Sequence, residues 1–248
     1  MVMFDLLLEN KLSASKKRKF KKEILARVQS RNPDYLDDEI NFYKTELLPY
    51  FIKLSQHNPV ASVTEQLRLL VGVWTPIWST ISLHESLPKR IQEQSFQIFQ
   101  HDGYCASVAR YIMGKEPSLS HNYQSSLPAY DFMVIQKYGV QNGKWYLQNI
   151  DRFQAFQNRE IPLTLESVYN WFTNIVNTKV NLNSPKDDLP KVLNLDNIEI
   201  NHPNEFQKTS LATSQIFENL YIDNDWRLVK TQTDASHLPS YTIAVKRQ

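Results

Sequence analysis

The hydrophobic positions of this chain change period near residue 70. Before it they recur every three to four residues; after it they alternate, which is the step from helix to strand. In Ser15–Arg31, Phe20, Ile24 and Val28 fall four apart with Leu25 beside them, predicting a helix with one apolar stripe. Leu36, Ile40, Tyr43, Leu47 and Phe51 predict a second helix. Asn32 and Pro33 supply its start, Asp34, Asp37, Asp38 and Glu39 complement its positive end, and Pro49 predicts a kink or division. Its acidic start beside the basic first helix predicts an antiparallel pair. Ser62 and Glu65 read as a capping box for a short third helix through Leu70, stopped by Gly72.

From Gly72 the pattern is strand. Trp74, Pro76, Trp78 and Thr80 fall on one face of the first, and Val73, Ile77 and Ile81 on the other. A strand apolar on both faces is covered on both, so the helices are expected against its outside. Pro76 predicts an edge or a bulge. Ser95–Gln100, with Phe96 and Ile98 on one side, turns at Asp102 and Gly103 into Tyr104–Met113. Lys115–Ser126 reads as a loop. Ala129–Val140 and Lys144–Phe156 flank Asn142 and Gly143, a strong hairpin signal. Tyr130, Phe132 and Val134 share one face of the first arm, and Trp145, Leu147 and Phe153 one face of the second. Thr164 caps a helix over Leu165–Val176, with Leu165, Val168, Phe172 and Ile175 spaced for burial. Asn177–Pro190 reads as a polar connector, and Val192–Ile200 and Gln207–Thr213 as weaker strands. Gln215–Ile222, a turn at Asp223–Asp225, Trp226–Thr231 and Tyr241–Lys246 complete the set.

Eight to ten strands in a row around one helix predict a mainly β fold with an α-helical N-terminal preface. The expected division is a helical segment over 1–69 and a β-barrel over 70–248 with a helix inserted near 164–177. Eight strands enclose room for one small ligand.

Composition narrows the chemistry. Phe 12, Tyr 12 and Trp 5 suffice for a packed core or an aromatic-lined cavity, and a net charge of +2 gives the whole chain no pull toward nucleic acid. Charge matters where it clusters: Ser15–Arg31 carries eight Lys or Arg and one acid, Glu23. That helix suits peripheral contact with an anionic membrane, or docks by its stripe with the lysines solvated. Cys105 is the single cysteine, so no intramolecular disulfide forms. The apolar runs fall far short of the roughly 20 residues a spanning helix needs, and the start lacks signal-peptide order. Five glycines leave no glycine-rich phosphate loop. His57, His84, His101, His121, His202 and His237 stand alone without ligand spacing, and Asp223-x-Asp225 lacks the glycine and glutamate of a calcium loop. No catalytic motif, metal site or cofactor site is visible, and the expectation is a protein that is not an enzyme.

Two segments resemble the plastid lipid-associated protein family, also called fibrillins. Gly72, Trp74, Trp78, Ser79 and Thr80 are similar to the family's opening strand, with Trp78 where most members have tyrosine. Tyr221, Asp223, Asp225, Trp226 and Arg227 are similar to its near-terminal hairpin, and Thr242–Arg247 to its aliphatic last strand. The chain departs from the family after Lys230, where no glycine precedes the last strand. The resemblance covers about 30 residues and implies a lipocalin-like antiparallel β-barrel. Its implied function is non-enzymatic binding or carriage of quinones, carotenoids or other prenyl lipids at a photosynthetic membrane surface. It implies a cytoplasmic, thylakoid-associated location. Trp74, Trp78, Phe96, Phe132, Trp145 and Arg227 are the expected ligand contacts, with Arg227 buried over the Trp74 indole. Two rivals stay open. One is a protein–protein scaffold with a filled barrel. The other is an enzyme on an NTF2-like cone, with Asp131, Asp151 or His101 deep in a pocket.

Overall fold

The computed structural model describes residues 2–29, 40–60, 62–80, 90–113, 128–180, 214–232 and 239–247. The chain is mainly β. Eight antiparallel strands run β1 (Gly72–Ser79), β2 (Arg90–Phe99), β3 (Tyr104–Met113), β4 (Pro128–Gln141), β5 (Lys144–Asn158), β6 (Ser214–Ile222), β7 (Trp226–Gln232) and β8 (Ser240–Arg247). Each pairs with its neighbour in sequence and β8 returns to β1, closing a lipocalin-like barrel without crossovers. The weaker strands expected at Val192–Ile200 and Gln207–Thr213, the Asn32–Pro33 junction and the Lys115–Ser126 loop lie outside the described residues.

Local sequence accounts for the turns. Asn142 and Gly143 both take positive φ, 52° and 70°, the two-residue turn whose twist matches its strands. Thr164 caps the inserted helix as its pattern predicts, accepting from the Ser167 amide while the Ser167 hydroxyl accepts from the Thr164 amide. That helix runs Leu165–Ile175 and continues as a π-turn through Val180, so the polar connector starts later than expected.

Helices α1 (Val2–Gln29), α2 (Leu48–Ser55) and α3 (Val63–Leu70) precede the barrel; the inserted helix is α4. A π-turn over Tyr43–Leu47 leads into α2. The division expected from Pro49 falls there, because proline has no N–H for the Thr45 carbonyl and the wider turn absorbs the mismatch. Ser62 is extended ahead of α3 but its side chain makes no cap bond, so the expected capping box is not formed. Gly72, at φ +125°, turns the chain from α3 into β1, and the Lys246 side chain passes over the space a Cβ would fill.

Three apolar clusters hold the layers together. Trp74, Phe99, Cys105, Tyr138, Trp145, Leu147, Phe217, Ile222, Val229 and Ala244 come from all eight strands and form the barrel interior, floored by Leu70 of α3. Outside β2–β5, α4 covers Phe96, Ile98, Ala106, Val108, Met133, Ile135 and Phe153 through Val168, Phe172 and Ile175. Outside β6–β8 and β1, Ile24 and Val28 of α1 and Phe51 and Leu54 of α2 cover Tyr221, Trp226, Leu228 and Ile243. The barrel is therefore apolar across these covered outer faces and in its floor. The stripe of the basic helix is spent on this docking, and Lys16, Arg18, Lys19 and Lys22 face solvent.

A charged clasp fixes α1 to the β6–β7 turn. Lys21 Nζ lies 2.5 Å from Asp223 and 2.9 Å from Asp225, over the Tyr221 ring at 5.3 Å. The Tyr221 hydroxyl donates to Asp223. Burial acts to raise the Asp223 carboxyl, but hydrogen bonding with Asp225, Lys21 and Tyr221 outweighs it and holds the group below the usual carboxylate range. A carboxyl depressed in the fold stabilises above its unfolded value, and that gain is lost as pH falls through the folded value. Amide-exchange protection of Ile24–Val28, corrected for intrinsic rates, should therefore hold at neutral pH and fall below about pH 4. Asp223→Asn should lower it at pH 7 as well. Equal protection at pH 3 and pH 7 would show that the clasp contributes nothing.

Candidate functional site

The barrel interior divides into a packed floor and an open cup. The floor is organised by Trp74, fully buried. Its indole N–H donates to the Leu70 carbonyl at 2.7 Å, and the Lys246 ammonium donates to the Leu69 carbonyl at 2.8 Å. Both satisfy carbonyls left orphaned at the end of α3, and the lysine charge also suits the negative helix end. Lys246 stands 5.2 Å from the Trp74 ring. Arg227 lies 5.8 Å from it, with Phe99 at 4.8 Å and Phe217 at 5.4 Å completing an aromatic box.

Arg227 is 2% exposed. Its Nε donates to Asn219 Oδ1 at 2.9 Å, while Nη1 has no partner. Burial pulls the guanidinium down to about 9, so it remains charged at neutral pH. No described carboxylate pairs with it. The three ring faces supply the stabilisation a counter-ion would give, since cation–π contacts gain strength when desolvated. From Asn219 the polar chain continues outward. Asn219 Nδ2 and the Trp145 indole N–H both donate to Gln66 Oε1, at 2.9 and 3.1 Å, and Gln66 Nε2 donates to the Val60 carbonyl at 3.0 Å.

The cup is the inner face of β2–β5 beyond the floor. Residues paired across strands share a face, so Ser107, Ala109 and Tyr111 of β3 lie with Val134, Phe132 and Tyr130 of β4. Arg152, Gln154 and Phe156 of β5 continue that face. Tyr111 and Tyr130 stack at 5.5 Å, with Phe156 at 6.3 Å from Tyr130. Two seams leave the cup wide. Among the described residues β1 pairs with β2 only over Gly72–Trp74, and β5 with β6 only over Trp145–Gln148. Ala109, Phe132 and Val134 stay partly exposed inside, while their outward neighbours Val108, Met133 and Ile135 are 1%, 0% and 0% exposed.

Of the residues expected to meet ligand, Trp74, Trp145 and Arg227 lie in the floor and Phe132 in the cup. Trp78 and Phe96 lie outside the barrel, which corrects their expected place. A bulge between Pro76 and Trp78 shifts the register against β8 and reverses the alternation beyond Pro76. Trp78 thus points into α2, with ring centroids 6.0 Å from Phe51 and 6.5 Å from Tyr43. Phe96 faces α4. Phe153 also leaves the face of Trp145 and Leu147, because a bulge at Ile150 intervenes. Of the rival enzyme's residues, Asp131 is buried outside the barrel, bidentate to Arg110 at 2.7 and 2.8 Å. Asp151 and His101 are exposed.

Gln66, Asn219 and Lys246 escaped the sequence reading. The signal for Gln66 was its place on the stripe of Val63, Leu67 and Leu70; for Lys246 it was alternation with Ala244. Cys105 is buried in the floor cluster, and burial pushes its thiol up, away from the thiolate form. Among the described residues no three metal-binding side chains gather, and no helix is long and apolar enough to cross a membrane. No protein-family model matches the chain, and no curated protein matches it.

Proposed function

We propose that the protein is a non-enzymatic binder or carrier of a small apolar molecule held in the cup. The observation that carries this reading is the contrast in burial between the two faces in the middle of β3 and β4. Apolar side chains facing out are sealed by α4, while Ala109, Phe132 and Val134 facing in keep access to solvent. A protein that needed only stability would fill that face, since leaving apolar area wet forfeits about 25 cal/mol per Å2. The partly exposed ring of Phe132 and the exposed ring of Phe156 on that face suit a flat, conjugated ligand. Prenyl quinones and carotenoids have that chemistry, and the fibrillin resemblance points the same way. The exposed Lys16, Arg18, Lys19 and Lys22 suit electrostatic contact with an anionic membrane, at about 1 kcal/mol each close to the surface. Such contact needs no insertion, because the apolar stripe of α1 is already docked.

The test is organic extraction and mass spectrometry of protein purified natively from its own host. A stoichiometric prenyl lipid or pigment is expected. Val134→Trp, which fills the cup without touching either outer cluster, should lower its occupancy about tenfold or more. An empty extract, repeated after incubation with quinones and carotenoids, would overturn the reading.

A further inference from the structure

We infer that the protein holds a second ligand site, separate from the cup, for a small organic acid with an apolar body. The site is a cavity of about 710 Å3 where the end of α2 and the start of α3 meet the β4–β5 turn and β6. That volume lies within the range of small-molecule sites. Gln66, Trp145 and Asn219 line its buried side, and Val63, Leu220 and Ile216 add an apolar surface that keeps access to solvent.

Three observations give the cavity its preference for an anion. First, the Arg227 charge sits directly behind Asn219 with no carboxylate partner among the described residues and one nitrogen unpartnered. Second, the amides between them are aligned. Asn219 turns its oxygen to Arg227 and its NH2 to Gln66, and Gln66 turns its oxygen to that NH2. Aligned dipoles polarise one another, so positive potential passes from Arg227 to Gln66, a lining residue whose Nε2 donates to the Val60 carbonyl. Third, Lys144 and Lys230 stand at the cavity edge. Glu218, the single carboxylate of the lining, lies directly across from Lys230 in the β6–β7 ladder, leaving Lys144 uncompensated. A carboxylate at the edge would face Lys144 with the positive field of Arg227 behind it. Its apolar body would lie on Val63 and Leu220, beneath Ile216, which is 46% exposed.

Calorimetric titration of the full chain with sodium octanoate and with 1-octanol tests this. Octanoate should bind saturably at one site, and 1-octanol about tenfold more weakly, because only the acid gains a charge-assisted contact. Lys144→Glu should weaken octanoate about fivefold by reversing a nearby exposed charge, and Ile216→Trp should abolish binding by closing the mouth. Both positions are exposed, and a circular-dichroism melt checks that the fold is kept. Asn219→Asp places a carboxylate on Arg227 and should remove the preference for the acid over the alcohol. Absence of octanoate binding, equal binding of acid and alcohol, or unchanged binding in Ile216→Trp would each overturn the proposal. The last outcome would put octanoate elsewhere, in the cup included. Neither surface substitution should change the cup's prenyl-lipid occupancy, so the two readings can fail separately.

Discussion

Asp131→Ala should lower unfolding free energy by about 3–5 kcal/mol, as expected for one partner of a buried ion pair left without the other. Arg110 and Asp131 are 2% and 3% exposed and meet through two parallel hydrogen bonds. Pairing with Asp131 raises the Arg110 guanidinium further above its ordinary value against the opposing pull of burial. The remaining nitrogen donates to the Ile161 carbonyl, in the turn just before α4. The pair therefore does more than join β3 to β4: it anchors the chain that delivers α4 to the outer face. Urea melts of Asp131→Ala should show the loss. Arg110→Met with Asp131→Leu, which removes both charges and keeps the volume, should recover most of it. A loss below about 1 kcal/mol would mean that the pair is hydrated and the anchor dispensable. The same variant separates structural from catalytic roles. A carboxylate held for chemistry is usually a site of strain whose removal stabilises the fold.

This pair also marks where sequence reading reaches its limit. Asp131 and Arg110 sit on alternate-strand positions that read as ordinary polar faces, and neither has a partner nearby in sequence. What brings them together is the β3–β4 register, set by packing along the whole strand. Local features were legible because they are local. The Asn142–Gly143 turn, the Thr164 cap, the stripe of Ile24 and Val28, and the alternation of β3 each depend on a few adjacent residues. Closure of the barrel followed from counting strands in succession. Which face looked inward did not follow in the same way. With helices outside both halves, the outward face of β2–β5 is the more apolar one, while Gln97, Ser107, Gln136 and Gln154 look inward, so a strand read for an apolar inner face puts Phe96 on the wrong side. Alternation also fails at a bulge, and one inserted residue at Ile77 was enough to move Trp78 outside. Pro76 signalled an irregularity there; its direction was set by β8. The place of Arg227 came by contrast from the fibrillin resemblance, which implied a cation held over the Trp74 indole. The host proved to be Trp74 with Phe99 and Phe217.

Trp74→Ala should be at least as damaging as the loss of Asp131. Deleting a fully buried tryptophan costs about 3–5 kcal/mol in transfer and cavity terms, and this ring carries three further duties. Its N–H caps the Leu70 carbonyl, and its ring contacts both Arg227 and Lys246. Against a typical total of about 5–15 kcal/mol, much of the population should be unfolded at 37 °C. Trp74→Phe resolves the contributions, keeping an apolar ring and losing the N–H, at about 1–3 kcal/mol for an acceptor left unsatisfied. Chemical denaturation of both variants gives the split. A Trp74→Phe loss equal to that of Trp74→Ala would mean that the hydrogen bond to α3 dominates and the ring contributes little. Trp74→Phe is also informative about function. Because Trp74 belongs to the floor rather than the cup wall, a folded Trp74→Phe protein should keep its prenyl-lipid occupancy while Val134→Trp loses it. Loss of ligand in Trp74→Phe with the melt intact would move the ligand down onto Arg227, and the cup would then be only its entrance.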